Sequence, residues 1–290
     1  MQQTKFGYEI IIGDDASRDE TPKILEAYKQ SYPELIELVL REENIGATNN
    51  IYDLLVRARG TYIAVLEGDD YWTDVYKLQK QIDFLQENKQ LIGSTHEFTI
   101  VDERDLLANK QKLSWVRQKK IFTIKDFKGL ILPGQISTLM FYNIFKENSY
   151  HLIKEVDRQI SDRTILMILL LQGNIGLIKE NMGCYRQFNR KYNINCTNML
   201  FGRRCDDRIK REMHITKQNE YICNRYFDKK VRFDYYKRQI FFDSILAFLR
   251  ARSNESFKDM IKAFKYTENK FTAICSIPYL FIKKIINRCK

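Results

Sequence analysis

The sequence lacks several features that would place it in a common class. None of its six cysteines forms a CxxC pair, and no signal peptide is expected before them. Reduced thiols of a cytoplasmic protein are therefore expected in preference to disulfides. The longest apolar stretch near the C-terminus, residues 274–282, contains Pro278. It falls far short of the ~20 residues that span a bilayer, so no transmembrane helix is predicted.

Glycine-rich phosphate signatures are also missing. The sequence contains no string of the dinucleotide-binding or P-loop type, which disfavours a Rossmann dehydrogenase and a P-loop ATPase. Histidine is scarce, and its spacing does not suit a metal site. The three histidines are therefore expected to be structural or exposed: His96, His151 and His214.

What is present indicates a folded, basic protein. The 290 residues are 44% apolar and 29% charged, which suffices for a sizeable core and argues against disorder. The formal net charge of +11 indicates an anionic partner. Nucleic acid, anionic lipid and a phosphate-bearing substrate all satisfy that charge, so charge alone does not choose among them.

The first part of the chain alternates short apolar runs with amphipathic stretches of helical length. Strands are predicted at residues 8–12, 35–40 and 61–66. One helix is predicted to begin at Thr21-Pro22, and another follows the turn at Gly46. This βαβαβ order predicts an α/β fold with a parallel sheet, in which ligands gather at the carboxyl ends of the strands.

Acidic residues occupy those strand ends. Asp14 and Asp15 follow the first strand, and Glu67, Asp69 and Asp70 follow the third. Carboxylates repel phosphate directly but hold it through a divalent cation such as Mg²⁺ or Mn²⁺. The alternative is that residues at the strand ends merely cap the next helix, which is reasonable for Asp15, Ser17 or Asp19 before the helix at Thr21. It is weaker for three carboxylates within four residues, because their mutual repulsion calls for a cation.

Three strings together resemble a known family. They are YEIIIGDDASRDET, ENIGATNN and ARGTYIAVLEGDDYW, in that order. They are similar to inverting family 2 glycosyltransferases of the GT-A fold, and more narrowly to the bacterial enzymes that build capsular and other surface polysaccharides. The resemblance implies a mixed sheet flanked by helices, followed by a mainly helical C-terminal extension. It covers roughly residues 8–189.

The resemblance also implies roles for individual residues. Glu67-Gly68-Asp69 matches the family's DxD motif with Glu in place of the first Asp, and Asp70 continues it. Asp162 matches the catalytic base that removes the acceptor proton, and the segment 134–138 resembles the acceptor side. The positions that correspond to nucleotide-binding residues are Asp14, Asp15, Asn44 in the NxG turn, and Arg186 near the donor phosphates.

Simpler interpretations remain open for several of these residues. Asp162 is equally placed to be a helix N-cap, and Arg186 to be a surface arginine. Phe188 stands where the family often has a histidine, which weakens the phosphate assignment. The family's first strand and helix are expected to be missing before Met1. The chain would then be a fragment, the product of a misassigned start codon, or an inactive remnant that binds nucleotide sugar without turnover.

The last third of the sequence differs in character. We expect a glycosyltransferase domain at residues 1–200 and a basic helical extension at 201–290. The extension's tail, residues 271–290, mixes apolar and basic side chains, which suits either an anionic membrane surface or a helix packed on the fold. The expected partners are a nucleotide-sugar donor and a glycan or polyprenyl-diphosphate-linked acceptor. Nucleic acid is not expected, because an acidic cluster does not suit it.

Overall fold

The computed structural model describes residues 1–109, 111–146, 162–187, 205–227 and 231–286. Its contacts divide the chain into two compact units. The first comprises Met1–Thr123 and Leu132–Asn189, and the second comprises Ile124–Ile131 and Arg190–Lys290. The second unit thus takes in a short segment from the middle of the chain.

The first unit begins with a two-stranded parallel sheet. Strand β1 (Ile10–Asp14) pairs with β2 (Ile36–Leu40), and helix α1 (Thr21–Ser31) connects them. Pro22 lies in the first turn of α1, where its missing N–H costs little. Helix α2 (Ala47–Arg57) follows and buries Tyr52 and Leu55. The sequence predicted each of these elements to within a few residues.

A six-stranded mixed sheet forms the rest of this unit. It contains β3 (Tyr62–Ala64), β4 (Tyr71–Trp72), β5 (Leu91–Val101), β6 (Ile121–Phe122), β7 (Met140–Tyr142) and β8 (Asn174–Arg186). Five strands follow the order β3-β7-β5-β8-β4, and β6 also pairs with β8. The long central strands β5 and β8 run parallel, and the other pairs are antiparallel.

One sequence prediction about the sheet was wrong. The first three strands were expected to form one parallel sheet, but β3 pairs with β7 in the mixed sheet. The alternation of strands and helices identifies segment types. It does not determine which strand edges pair, because that depends on segments far along the chain.

Helices cover the mixed sheet with apolar faces. Helix α3 (Lys77–Glu87) packs Leu78, Ile82 and Leu85 against β5 and β7. The short helix α4 (Ile124–Phe127) belongs to the second unit. Helix α5 (Asp162–Gln172) is buried from Thr164 to Leu171, as its continuous apolar sequence predicted.

The second unit is mainly helical, in agreement with the expected C-terminal extension. It contains α6 (Cys205–Ile222), which continues into a π-helical turn at Cys223–Phe227, then α7 (Asp234–Ala251), α8 (Asn254–Tyr266), α9 (Lys270–Cys275) and α10 (Ile277–Ile286). Ser253 caps α8 in a reciprocal pair of hydrogen bonds with Ser256. Among the described residues, no helix combines the length and apolar character that a membrane span requires.

Candidate active site

The turn between β3 and β4 brings three carboxylates together. One oxygen from each of Glu67, Asp69 and Asp70 lies within 4.8 Å of the others. The turn is closed by the Asp70 N–H, which donates to the Glu67 carbonyl at 3.1 Å. We call these three residues the acidic turn. Hard oxygen ligands this close together are what a divalent cation such as Mn²⁺ or Mg²⁺ prefers.

Ser137 joins the acidic turn at two places. Its hydroxyl donates to Asp70 Oδ2 at 2.6 Å and accepts from the Glu67 N–H at 3.1 Å. Its carbonyl accepts from Trp72 Nε1 at 2.8 Å. Ser137 lies in a buried 3₁₀ turn, Ile136–Thr138, which precedes β7. Sequence reasoning placed this segment only on the acceptor side and missed its contact with the carboxylates.

Arg186 holds the acidic turn from the end of β8. Its backbone N–H donates to Asp70 Oδ1 at 2.9 Å, and its Nε donates to the Asp69 carbonyl at 2.9 Å. A third contact pairs its guanidinium with Asp105 at 2.8 Å. Both Asp70 oxygens therefore already accept a hydrogen bond, and Asp70 is buried. The other two acids are more open, since Glu67 is exposed and Asp69 is half-buried.

The surroundings raise the pKa of all three acids. Although the Glu67 side chain is exposed, the surrounding protein desolvates its carboxyl group and raises its pKa to about 8. The charges of Asp162, Asp70 and Asp69 add to that rise. Desolvation also raises the pKa of Asp69, and raises that of Asp70 to about 6 despite the Ser137 hydrogen bond. A bound cation would offset both the desolvation and the repulsion.

Asp162 lies close enough to interact with the acidic turn. It is the first residue of α5 and is half-buried, and its Oδ1 accepts from the Arg163 N–H at 2.9 Å. Its charge is the second cause, after desolvation, of the raised Glu67 pKa. The same carboxylates, Asp162 among them, raise the pKa of the Tyr185 phenol after desolvation has done so. The structure thus brings Asp162, Tyr185 and the acidic turn into one electrostatic environment.

The predicted nucleotide residues Asp14, Asp15 and Asn44 meet at the carboxyl ends of β1 and β2. Asp14 Oδ2 accepts from the Ser17 N–H at 3.0 Å. The Asp15 carboxylate accepts from the N–H groups of Ile45 and Gly46 at 2.8 and 2.9 Å. Asn44 Nδ2 donates to the Asp15 carbonyl at 2.9 Å.

Of the two acids Asp15 and Asp19, it is Asp19 that contacts the start of α1. Asp19 Oδ1 accepts from the Thr21 N–H at 3.0 Å. Asp15 instead ties the end of β1 to the NxG turn before α2, where Gly46 adopts a φ of 87°. That backbone region suits glycine, which explains the residue at this position.

Similarity to known proteins identifies the family of the chain. Residues 1–147 match the sequence model of Glycosyl transferase family 2. The chain is 41% identical over 87 residues to TuaG of Bacillus subtilis, whose name assigns it to teichuronic acid biosynthesis. It is 37% identical over 89 residues to WfaP of Escherichia coli, a UDP-Glc:alpha-D-GlcNAc-diphosphoundecaprenol beta-1,3-glucosyltransferase. These matches cover 30% and 31% of this chain and 34% of each relative, so the chain spans about a third of their length.

A solved structure supports the fold. The chain resembles GalNAc-T7, crystallised with UDP, GalNAc and Mn²⁺, with a TM-score of 0.53 and 11% sequence identity. The alignment covers 89% of this chain and 51% of that one. The architecture is the GT-A fold, a mixed sheet flanked by helices, as expected from the sequence.

Proposed function

Because the chain belongs to glycosyl transferase family 2, we propose that it moves a sugar from a nucleotide-diphosphate donor to an acceptor hydroxyl group, with inversion at the anomeric carbon. The observation that carries this proposal is the acidic turn. Three carboxylates lie within 4.8 Å of one another beside a fourth, Asp162, which suits both a metal-held diphosphate and a nearby proton acceptor.

The residues present fit a divalent cation, Mn²⁺ or Mg²⁺. Desolvation raises the pKa values of Glu67, Asp69 and Asp70, and neighbouring carboxylates add to the rise for Glu67 and Asp70. A bound cation would offset both effects. Asp70 is committed to Ser137 and Arg186 on both oxygens, so Glu67 and Asp69 are the more available ligands. When bound, the cation would supply positive charge to the departing diphosphate.

The donor nucleotide is assigned to the loops after β1 and β2. Asp14 and Asp15 would contact the base and ribose, as the family resemblance implies, and Asn44 would bind the nucleotide beside them. Arg186 would lie near the donor phosphates, although its guanidinium is paired with Asp105 in the present structure. The hydrogen bonds that Asp15 makes to the NxG turn preorganise this loop for a ligand.

Asp162 is proposed to act as the base. As the acceptor oxygen attacks the anomeric carbon, its proton passes to the Asp162 carboxylate, and the bond from the sugar to the nucleoside diphosphate breaks. The carboxylate becomes a neutral acid when it takes up the proton, and the negative charge leaves with the nucleoside diphosphate. The interaction of Asp162 with Glu67 supports placing the base beside the metal ligands.

We also propose a glycan or polyprenyl-diphosphate-linked acceptor in bacterial surface polysaccharide synthesis, such as that of a capsule. The support is similarity to TuaG and to WfaP, whose name specifies an acceptor linked to diphosphoundecaprenol. Such an acceptor would bring the chain to the cytoplasmic face of the cell membrane.

The test is a panel of nucleotide sugars screened by thermal shift with and without Mn²⁺. A matching donor should stabilise the protein only with the cation. Asp69→Ala should abolish that shift, whereas Asp83→Ala, an exposed acid on α3, should retain it. A full cation-dependent shift in Asp69→Ala would refute the ligand assignment. Donor binding without release of nucleoside diphosphate in the presence of acceptors would indicate a binding protein in place of an enzyme.

A further inference from the structure

The last two helices present an apolar face to solvent. Phe271, Ile274, Tyr279 and Ile282 are 78%, 53%, 64% and 57% exposed. Phe271 and Ile274 on α9, and Tyr279 and Ile282 on α10, are each three residues apart, which places each pair on one side of its helix. We call these four residues the apolar stripe. Cys275 and Pro278 are also exposed between them, so the stripe is not interrupted by a charged side chain.

The opposite side of the same helices is already satisfied by packing. Ala273 and Leu280 are buried, and Ile277 packs against the core of the second unit formed with α7 and α8. The apolar stripe is therefore additional to the side that the fold uses. Burial of these helices within the unit does not account for it.

Helix α8 shows what an ordinary exposed face looks like in this unit. Apart from Phe257, its exposed positions include Glu255, Lys258, Lys262 and Lys265, while Ala263 on its other side is buried. Charged residues outside and small or apolar residues inside are the usual pattern. The change from this pattern in α8 to an apolar outer face in α9 and α10 indicates a different contact.

The charge of residues 270–290 indicates which kind of surface the apolar stripe contacts. From Lys270 to the end of the sequence there is no acidic residue, and five positions are basic: Lys270, Lys283, Lys284, Arg288 and Lys290. A second copy of the chain would bring a like-charged tail into contact with this one, which opposes self-association. An anionic surface matches both the apolar stripe and the adjacent positive charge.

We propose that α9 and α10 lie flat on an anionic lipid bilayer, with the apolar stripe inserted between the headgroups. From Phe271 to Ile282 the helices extend about 17 Å at 1.5 Å per residue. This length suits an interfacial helix and not a span. The biological role of this contact rests on the proposed function, since the proposed lipid-linked acceptor would lie at that surface. The binding itself is independent of catalysis.

Vesicle sedimentation with the full chain tests the proposal. The protein should bind vesicles of phosphatidylcholine mixed with phosphatidylglycerol at low salt, and bind pure phosphatidylcholine weakly. The double substitution Phe271→Gln/Ile282→Gln should lower the affinity for the mixed vesicles at least ~10-fold, because two exposed apolar side chains lose their burial. Leu107→Gln, which alters a 72% exposed residue in the first unit, is the matched control and should bind like the parent.

A charge variant provides the second arm. Lys283→Glu/Lys284→Glu should weaken binding to the mixed vesicles and remove most of its salt dependence. The proposal is overturned if the intact chain ignores mixed vesicles at low salt, if both variants bind like the parent, or if the glutamine variant loses a dimer instead of vesicle binding. Mn²⁺-dependent donor stabilisation, measured on the same samples, shows separately whether the proposed function holds.

Discussion

The Ser137 hydroxyl donates a 2.6 Å hydrogen bond to the buried carboxylate of Asp70, and the same oxygen accepts from the Glu67 N–H. One small side chain thus fixes both ends of the acidic turn. Since Ser137 lies 67 residues after Asp70 in the sequence, this contact depends on the pairing of β3 with β7. The position of the carboxylates is therefore a property of the whole sheet.

Removing that hydroxyl should loosen the acidic turn. Ser137→Ala leaves Asp70 without one partner and should cost about 1–3 kcal/mol in the free energy of unfolding. It should also weaken Mn²⁺ binding roughly 10-fold, measured by electron paramagnetic resonance without nucleotide. Thr138→Ala is the matched control, because that neighbouring buried hydroxyl bonds to Thr95 and to the Gln135 carbonyl. Equal loss of Mn²⁺ affinity in both variants would contradict a specific role for Ser137.

The ion pair between Arg186 and Asp105 provides a second test. If the guanidinium turns to the donor phosphates, Arg186→Gln should lower nucleoside diphosphate affinity at least ~10-fold, because a charge-assisted contact is lost. Asp105→Asn removes the carboxylate that competes with the donor phosphates for the Arg186 guanidinium. Since Asp105 is largely exposed, the pair is worth at most about 1 kcal/mol, so donor binding should tighten by no more than about fivefold.

Isothermal titration calorimetry on both variants distinguishes the two roles of Arg186. Weaker nucleotide binding in Asp105→Asn as well as in Arg186→Gln would mean that the arginine acts only by holding the acidic turn. In that case Mn²⁺ affinity without nucleotide should fall in parallel. Unchanged donor affinity in Arg186→Gln would remove the residue from the nucleotide site.

Burial of His96 should make the folded protein less stable at acid pH. Desolvation, together with the nearby Lys77 charge, lowers its pKa from 6.5 to about 3. In the unfolded chain the imidazole takes up a proton below pH 6.5, whereas in the folded chain it stays neutral until about pH 3. Protonation therefore favours the unfolded state. The free energy of unfolding decreases by about 1.4 kcal/mol for each unit by which the pH is lowered within that range.

Urea unfolding at several pH values between 5 and 7.5 measures this slope. His96→Gln cannot take up the proton, so the variant should lose less stability than the parent as the pH falls below 6.5. The raised pKa values of Glu67 and Asp70 act in the opposite direction over this pH range, which is why the comparison uses the difference between the two proteins. Parallel pH profiles would show that His96 is not the source of acid sensitivity.

Local sequence patterns were sufficient for part of this site. The apolar run before Asp14 identified β1, Thr21-Pro22 marked the start of α1, and three acids within four residues identified the acidic turn. Each of these features depends on residues close together in the sequence. The spacing of side chains along one strand or one helix determines them.

Other features depend on contacts that no local pattern encodes. The pairing of β3 with β7 in place of a shared sheet with β1, the hydrogen bond from Ser137 to Asp70, and the ion pair of Arg186 with Asp105 all join distant segments. A serine within an apolar segment carries no signal that its hydroxyl will meet a carboxylate 67 residues earlier. The partner becomes known only once the strands are placed.

The proposed base gives the most direct test of catalysis. Asp162→Asn preserves the size of the side chain and an oxygen that accepts from the Arg163 N–H, but it removes the proton acceptor. Transfer should fall at least ~10²-fold in kcat, while donor affinity changes little, because the amide still fills the same space.

Removing one negative charge near Glu67 should also lower the Glu67 pKa. The lost carboxylate would also have attracted the cation, so the two effects oppose each other and Mn²⁺ affinity should change little at neutral pH. Near-normal turnover would place the base elsewhere, and Asp157, which lies outside the described residues, is then the next residue to substitute. Loss of donor or Mn²⁺ binding together with turnover would instead assign Asp162 to the metal and nucleotide site.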